Sequence, residues 1–165
     1  MKLFNRSKFI SGKEIERFIV KIEAELIDTV HEMDLSITID VRKMEIIDAH
    51  SSMLRVPYAH CHEVADLAKK LIGLKVISGG QAKNVSKLMG GRCGCLVLEE
   101  LAQDAVRAVS QTSATIIPPE QHEQIIHKFS DGTCYTHCMP IKEKTEAAYP
   151  RSYHKDIYEK LKTRF

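Results

Sequence analysis

Cys93 and Cys95, separated by one glycine, follow Gly90, Gly91 and Arg92 and lead directly into the apolar run Leu96-Val97-Leu98. Sulfur of this kind attacks electrophiles and binds soft metals as thiolate. A helix beginning here leaves its first N–H groups without partners and carries partial positive charge at that end, a setting that favours an anionic sulfur. Glycines at 90, 91 and 94 let backbone amides come close to a bound anion or sulfide, and Arg92 adds charge. Cys61 has a similar position. It falls in the first turn of another helix-patterned run, three residues before Val64, as Cys95 stands three residues before Leu98. The expectation is that Cys61 and Cys95, with Cys93 assisting, bind a metal ion such as zinc, or an iron–sulfur or sulfide species, in a non-catalytic module. Packing is the competing reading, because a cysteine on an apolar face behaves as a small hydrophobe. Cys-Gly-Cys also differs from the Cys-x-x-Cys of a zinc knuckle.

Further sulfur and imidazole groups are secondary candidates. His60 and His62 flank Cys61, but on a helix they splay away from each other. Cys134, His137 and Cys138 form another set of soft ligands suited to zinc or iron. The two thiols of that set share a face only in a helix, and Gly132 before and Pro140 after them favour a loop. The enzymatic alternative is Cys95 as nucleophile or persulfide carrier with His60 or His62 as base. No dinucleotide fingerprint, phosphate-binding loop, nucleophile elbow or H-E-x-x-H occurs. Glu99-Glu100 reads as a solvated pair on a helix surface.

The elements that must position these groups follow from periodicity. In residues 17–29, Phe18, Val20, Ile22, Ala24 and Leu26 alternate with polar partners, the mark of a strand with one buried face. Leu35, Ile37, Ile39 and Val41 repeat the pattern, and residues 44–56 give a third strand. Short connections make neighbours antiparallel. After Pro57 the period becomes helical: Val64, Ala65, Ala68, Leu71 and Ile72 recur, and Gly73 closes the run. A short helix is expected over residues 81–89, with Val85, Leu88 and Met89 inward. The longest runs from Cys95 to about residue 111, with Leu98, Leu101, Ala102, Ala105 and Val109 on one stripe. Weaker helical signals occupy residues 120–129 and 153–165. The fold class is therefore α+β, a three-stranded antiparallel meander packed by helices on one face. Residues 1–16 read as a basic N-terminal segment, 17–112 as the core domain and 113–165 as a helical and loop extension.

The net charge of +2 gives no argument for nucleic acid, and no window approaches a membrane span. Charge is uneven: residues 1–13 hold Lys2, Arg6, Lys8 and Lys13 and no acid, while 142–165 hold seven basic and four acidic groups. Such ends are solvated or dock an acidic protein partner. Five cysteines with no secretory signal read at the N-terminus point to the reducing cytoplasm.

The stretches "IIDAHSSMLRVPYAHCHEVADLAKKLIGLKV" and "GGRCGCLVLEELAQDAVRAV" resemble a bacterial family of uncharacterised proteins, over roughly residues 17–112. In that family a cysteine follows a strand and a Gly-Cys pair opens a helix; Leu96-Val97-Leu98 stands where a Thr-His-Leu-like run would be. More distantly the order resembles the IscU and NifU N-terminal iron–sulfur scaffold fold. That resemblance implies a sheet followed by helices, with Cys61 and Cys95 in two of the scaffold's thiol positions. The scaffold's first cysteine has no counterpart near residues 31–34, and Gly94 replaces a histidine. Two thiols leave a four-ligand cluster incomplete, so the resemblance implies completion by Cys93, His60, Cys134 or Cys138.

Overall fold

A computed structural model describes residues 1, 3–76, 81–116, 135, 138–140 and 143, without the side chains of 81, 82 and 114. The chain divides into two units, Met1–Glu123 and Gln124–Phe165. The first holds all the elements below. Four strands, β1 (Arg6–Glu16), β2 (Ile19–Asp28), β3 (Glu32–Asp40) and β4 (Glu45–Arg55), form one antiparallel sheet in the order β1-β2-β3-β4. A 3₁₀ helix (Ala59–Leu71) follows, then α1 (Gln81–Met89) and α2 (Leu96–Ile116).

The class is α+β as the periodicity requires, but the sheet has four strands and not three. The additional strand is β1, in the segment expected to be a basic lead-in. Its register with β2 sets Arg6, Lys8, Ile10, Gly12 and Glu14 opposite Asp28, Leu26, Ala24, Ile22 and Val20. Its inward positions are thus mostly charged or bare, and no apolar alternation marks them. Ion pairs to α2 take the place of apolar contacts: Arg6 reaches Glu100 at 2.9 Å and Lys8 reaches Asp104 at 2.8 Å. Gly12 leaves the space that the Thr112 side chain of α2 occupies.

The central strands follow their pattern. Val20, Ile22, Ala24 and Leu26 of β2 and Met33, Leu35, Ile37 and Ile39 of β3 are buried beneath the helices. In β4 the inward set is Ile46, Ala49, Ser51 and Met53. Its phase changes because the register slips opposite Thr38/Ile39, a bulge that spends Ile47 as the extra residue. Phe18, expected inward, lies in the β1–β2 turn with φ +67°. Its ring sits beneath the guanidinium groups of Arg17 at 5.0 Å and Arg42 at 5.9 Å.

The helix after Pro57 is 3₁₀ where an α-helix was expected. With three residues per turn, side chains three apart align. Ala65, Ala68 and Leu71 form the ridge towards β4, where the Ser51 hydroxyl donates to the Ala65 carbonyl at 2.7 Å. Cys61, Val64 and Leu67 form a half-buried ridge, and His60, Glu63, Asp66 and Lys69 an exposed one. Ile72 falls out of the apolar stripe and is 47% exposed. Gly73, at φ +86°, ends the helix, and the next residues clamp β4 at its free edge: Gly73 N–H donates to Ile46, Ile46 N–H to Leu74 and Val76 N–H to Met44.

α2 covers β1, β2 and β3, with Leu98, Leu101, Ala102, Ala105, Val106 and Val109 fully or almost fully buried. It runs past residue 112 to Ile116. α1 packs on both α2 and the 3₁₀ helix, burying Val85 and Met89. The helices expected over 120–129 and 153–165 lie outside the described residues. Among the described residues no helix is long and apolar enough to cross a membrane.

Candidate thiol site at the α1–α2 turn

The six residues between α1 and α2 fold as a closed joint. Gly90 N–H continues the α1 ladder to the Ser86 carbonyl at 2.9 Å. Gly91 then turns with φ +82°, a left-handed conformation that suits glycine. Gly94 N–H donates to Gly91 O at 3.1 Å, and Cys95 N–H donates to Met89 O at 3.1 Å. Leu96 is the first helical residue of α2, and the Cys95 carbonyl accepts the Glu99 N–H at 2.8 Å. Cys95 is therefore the N-cap residue of α2, at a position where serine, threonine, aspartate or asparagine is usual.

The glycines serve this joint directly. A Cβ on Gly94 would run into the carbonyl oxygens of Met89 and Gly90, and one on Gly90 into the Glu99 carboxylate and the Ser86 carbonyl. Of the amides expected to approach an anion here, those of Gly90 and Gly94, with that of Cys95, are spent inside the turn. Glu99 is not a solvated surface acid either. It accepts from the Ser86 hydroxyl and from Gln103 at 3.0 Å, tying α1 to α2, while Glu100 pairs with Arg6.

Cys93 is exposed on the turn, and Cys95 is half-buried with its side chain against the core. Only one residue separates them. Cys61 is half-buried on the 3₁₀ helix, with its N–H donating to Tyr58 O at 3.0 Å. α1 contacts both that helix and α2. His60 is almost fully exposed and pairs with Glu63 at 3.0 Å, and His62 is exposed too. Cys138 is exposed, whereas Cys134 and His137 lie outside the described residues. Among the described residues no three His, Cys, Asp or Glu side chains form a group that could hold a metal ion. Cys93 and Cys95 stand two positions apart in the turn, one exposed and one packed on the core; Cys61 stands on a separate element.

Sequence reasoning passed over the most elaborate polar cluster, at the β2–β3 turn. The Asp28 side chain is fully buried. It accepts N–H bonds from Val30 at 2.7 Å and His31 at 2.6 Å, and Arg6 binds it through two nitrogens at 2.8 and 3.1 Å. The His31 ring nitrogen lies 3.1 Å away. Arg55 closes the turn from β4, donating to the Asp28 and Thr29 carbonyls at 2.9 and 3.1 Å. Burial pushes the Asp28 carboxyl up, but the His31 and Val30 N–H donors, with the Arg6 and His31 side chains, outweigh it and hold the group well below the usual carboxylate range. Every partner here ties strands and turn together, so the cluster is structural. Its only signal in the sequence is an acid placed where β2 ought to end in an inward residue. A cleft of about 320 Å³ between β1 and α2, lined by Ile10, Gly12, Asp104, Arg107, Gln111 and Thr112, lies along the later turns of α2, beyond the Cys95 end.

The model of a family described as a protein of unknown function, DUF2889, matches residues 12–111. The chain belongs to the DUF2889 family. The DUF2889 match begins at Gly12 in β1 and ends in α2, so it takes in Cys61, Cys93 and Cys95 and excludes Cys134 and Cys138. No curated protein and no solved structure matches the chain.

Proposed function

We propose that the chain is a non-catalytic thiol module that accepts a soft, thiophilic metal, a zinc ion or the iron of an iron–sulfur species, at the α1–α2 turn. Cys95 and Cys93 are the donors. The observation that carries this reading is their placement: Cys95 at the N-cap of α2, held by the Met89 and Glu99 backbone bonds, and exposed Cys93 two positions before it. The first-turn N–H groups of α2 have no partner within their own helix and give that end partial positive charge, which favours thiolate at Cys95. Two thiolates fill half of a tetrahedral zinc shell or of a cluster's ligand set, so the remaining donors come from water, from the species delivered or from a protein partner. Such a half-filled shell suits acceptance and transfer better than permanent storage. The distant resemblance to the iron–sulfur scaffold supports the same reading. Cys61 is the reserve ligand, on its own element.

The test is uptake by reduced, anaerobically handled protein, titrated with zinc and, separately, with sulfide and ferrous iron. Tight uptake that Cys95→Ser abolishes, Cys93→Ser weakens and Cys61→Ser leaves within about twofold supports the reading. No uptake by the wild-type chain sinks it.

A second reading has an observation of its own. Cys95 packs on the core, and the glycines around it answer to close backbone contacts. If Cys95→Ala lowers stability and changes nothing else, the thiol only fills space in an interaction domain.

A further inference from the structure

We propose that Cys93 and Cys95 close to a reversible disulfide, which makes the α1–α2 turn a redox-controlled site. Both are free thiols. Two peptide units separate their Cα atoms, so at 3.80 Å per unit the separation stays below about 7.6 Å in any conformation. A disulfide spans Cα separations of about 4.4–6.8 Å. The turn keeps this stretch from extending, because Gly94 N–H is bonded back to Gly91 and Cys95 N–H back to Met89. The one residue between the thiols is glycine, which absorbs the dihedral change of closing the small ring without a side chain in the way. Cys61 stands on a separate element, the 3₁₀ helix, and the partner nearest along the chain to each of the two thiols is the other.

The oxidant is a low-molecular-weight disulfide such as oxidised glutathione. Exposed Cys93, as thiolate, attacks one glutathione sulfur; the glutathione S–S bond breaks and one glutathione leaves as thiolate. Cys95, as thiolate, then attacks the Cys93 sulfur of the mixed disulfide and expels the second glutathione. Two protein thiols become one disulfide, one glutathione disulfide becomes two thiols, and the protons lost by the cysteines end on glutathione. An exposed disulfide in a short ring belongs to the readily reduced class, so excess thiol reopens it. The regulatory consequence, that oxidation removes both donors from the acceptor site, rests on the function proposed above; the bond itself does not.

Trypsin provides a clean reading, because residues 93–107 lie between Arg92 and Arg107, contain no internal lysine or arginine, and hold these two cysteines and no other. Reduced full-length protein is exposed to oxidised glutathione, quenched in acid, alkylated and digested. The expected product is the 93–107 peptide lighter by two hydrogens and carrying no alkyl group, restored to double alkylation by dithiothreitol. Cys95→Ser is expected to trap one glutathione on Cys93. A wild-type peptide that stays doubly alkylated, retains glutathione, or is bridged to the Cys61 peptide overturns the proposal. Zinc uptake by the reduced and oxidised chain is scored separately. A disulfide without uptake by the reduced form removes the acceptor role and keeps the switch, whereas uptake without a disulfide does the reverse.

Discussion

Asp28 shows how much one side chain decides here. Its buried carboxylate gathers two backbone amides, a guanidinium and an imidazole, and so fixes the β2–β3 turn to β1. A carboxyl held below its unfolded value of about 3.9 contributes stability that is fully present above that pH and lost as pH falls towards the folded value. Urea unfolding from pH 6 down to pH 3 is therefore expected to show a loss of stability in the wild type that Asp28→Asn flattens. At neutral pH the same substitution leaves Arg6 with one anionic partner fewer and is expected to cost about 3 kcal/mol. An unchanged acid limb in the variant would show that another carboxylate governs it. Gly94 makes the complementary point. Its role in the sequence reads as freedom to approach an anion, yet it is bare because two carbonyl oxygens already fill its side-chain space.

Among the elements, the 3₁₀ helix is the one whose geometry the sequence left open. Val64, Ala65, Ala68 and Leu71 fit a period of 3.6 and a period of 3.0 almost equally, and the apolar stripe alone cannot choose between them. Ile72 distinguishes the two. An α-helix carries it into the stripe with Ala68 and Leu71, whereas the 3₁₀ ridge leaves it about half exposed. Ile72→Lys is thus expected to alter stability by no more than about 0.5 kcal/mol, and Leu71→Ala, at a fully buried site, to cost about 2–5 kcal/mol. Equal, large losses at both positions in chemical denaturation would mean the helix has the α register in solution. The choice is made from outside the helix. The Ser51 hydroxyl holds the Ala65 carbonyl and residues 73–76 are bonded along β4, so the span between these anchors is set by the sheet.

For the whole molecule, β1 is an edge strand with little apolar surface of its own, joined to the rest by a ladder and by charges. The pairs from Arg6 and Lys8 to α2 are partly exposed, and each is worth no more than about 1 kcal/mol once solvent screening is allowed for. The backbone pairing with β2 and the cover it gives Ala24, Leu26 and Ile22 matter more. Removing residues 1–16 is expected to leave β2 as a raw edge, lower the urea midpoint and promote self-association, readable by size-exclusion chromatography. A truncated chain that stays monomeric with an unchanged midpoint would show that the sheet closes without β1. The family match begins at Gly12, inside this strand and not at its start.

What the sequence determined was whatever one-sided burial writes into a local period. β2, β3, α1 and α2, and most of their inward residues, were legible because each packs one face on a common core and alternates or repeats accordingly; β4 was legible as a strand, but the bulge at Ile47 hid which of its residues point inward. The position of the Cys93–Cys95 pair at a helix mouth was legible too. Tertiary structure alone decided that a charged segment is the fourth strand, that Asp28 and Glu99 are structural rather than solvated, and that the glycines close a joint rather than line a cradle. These depend on partners distant along the chain, Arg6 with Asp28 and Glu100, Ser86 with Glu99, Gly12 with Thr112. A charge or a missing side chain carries no period, so only the folded neighbour reveals what it is for.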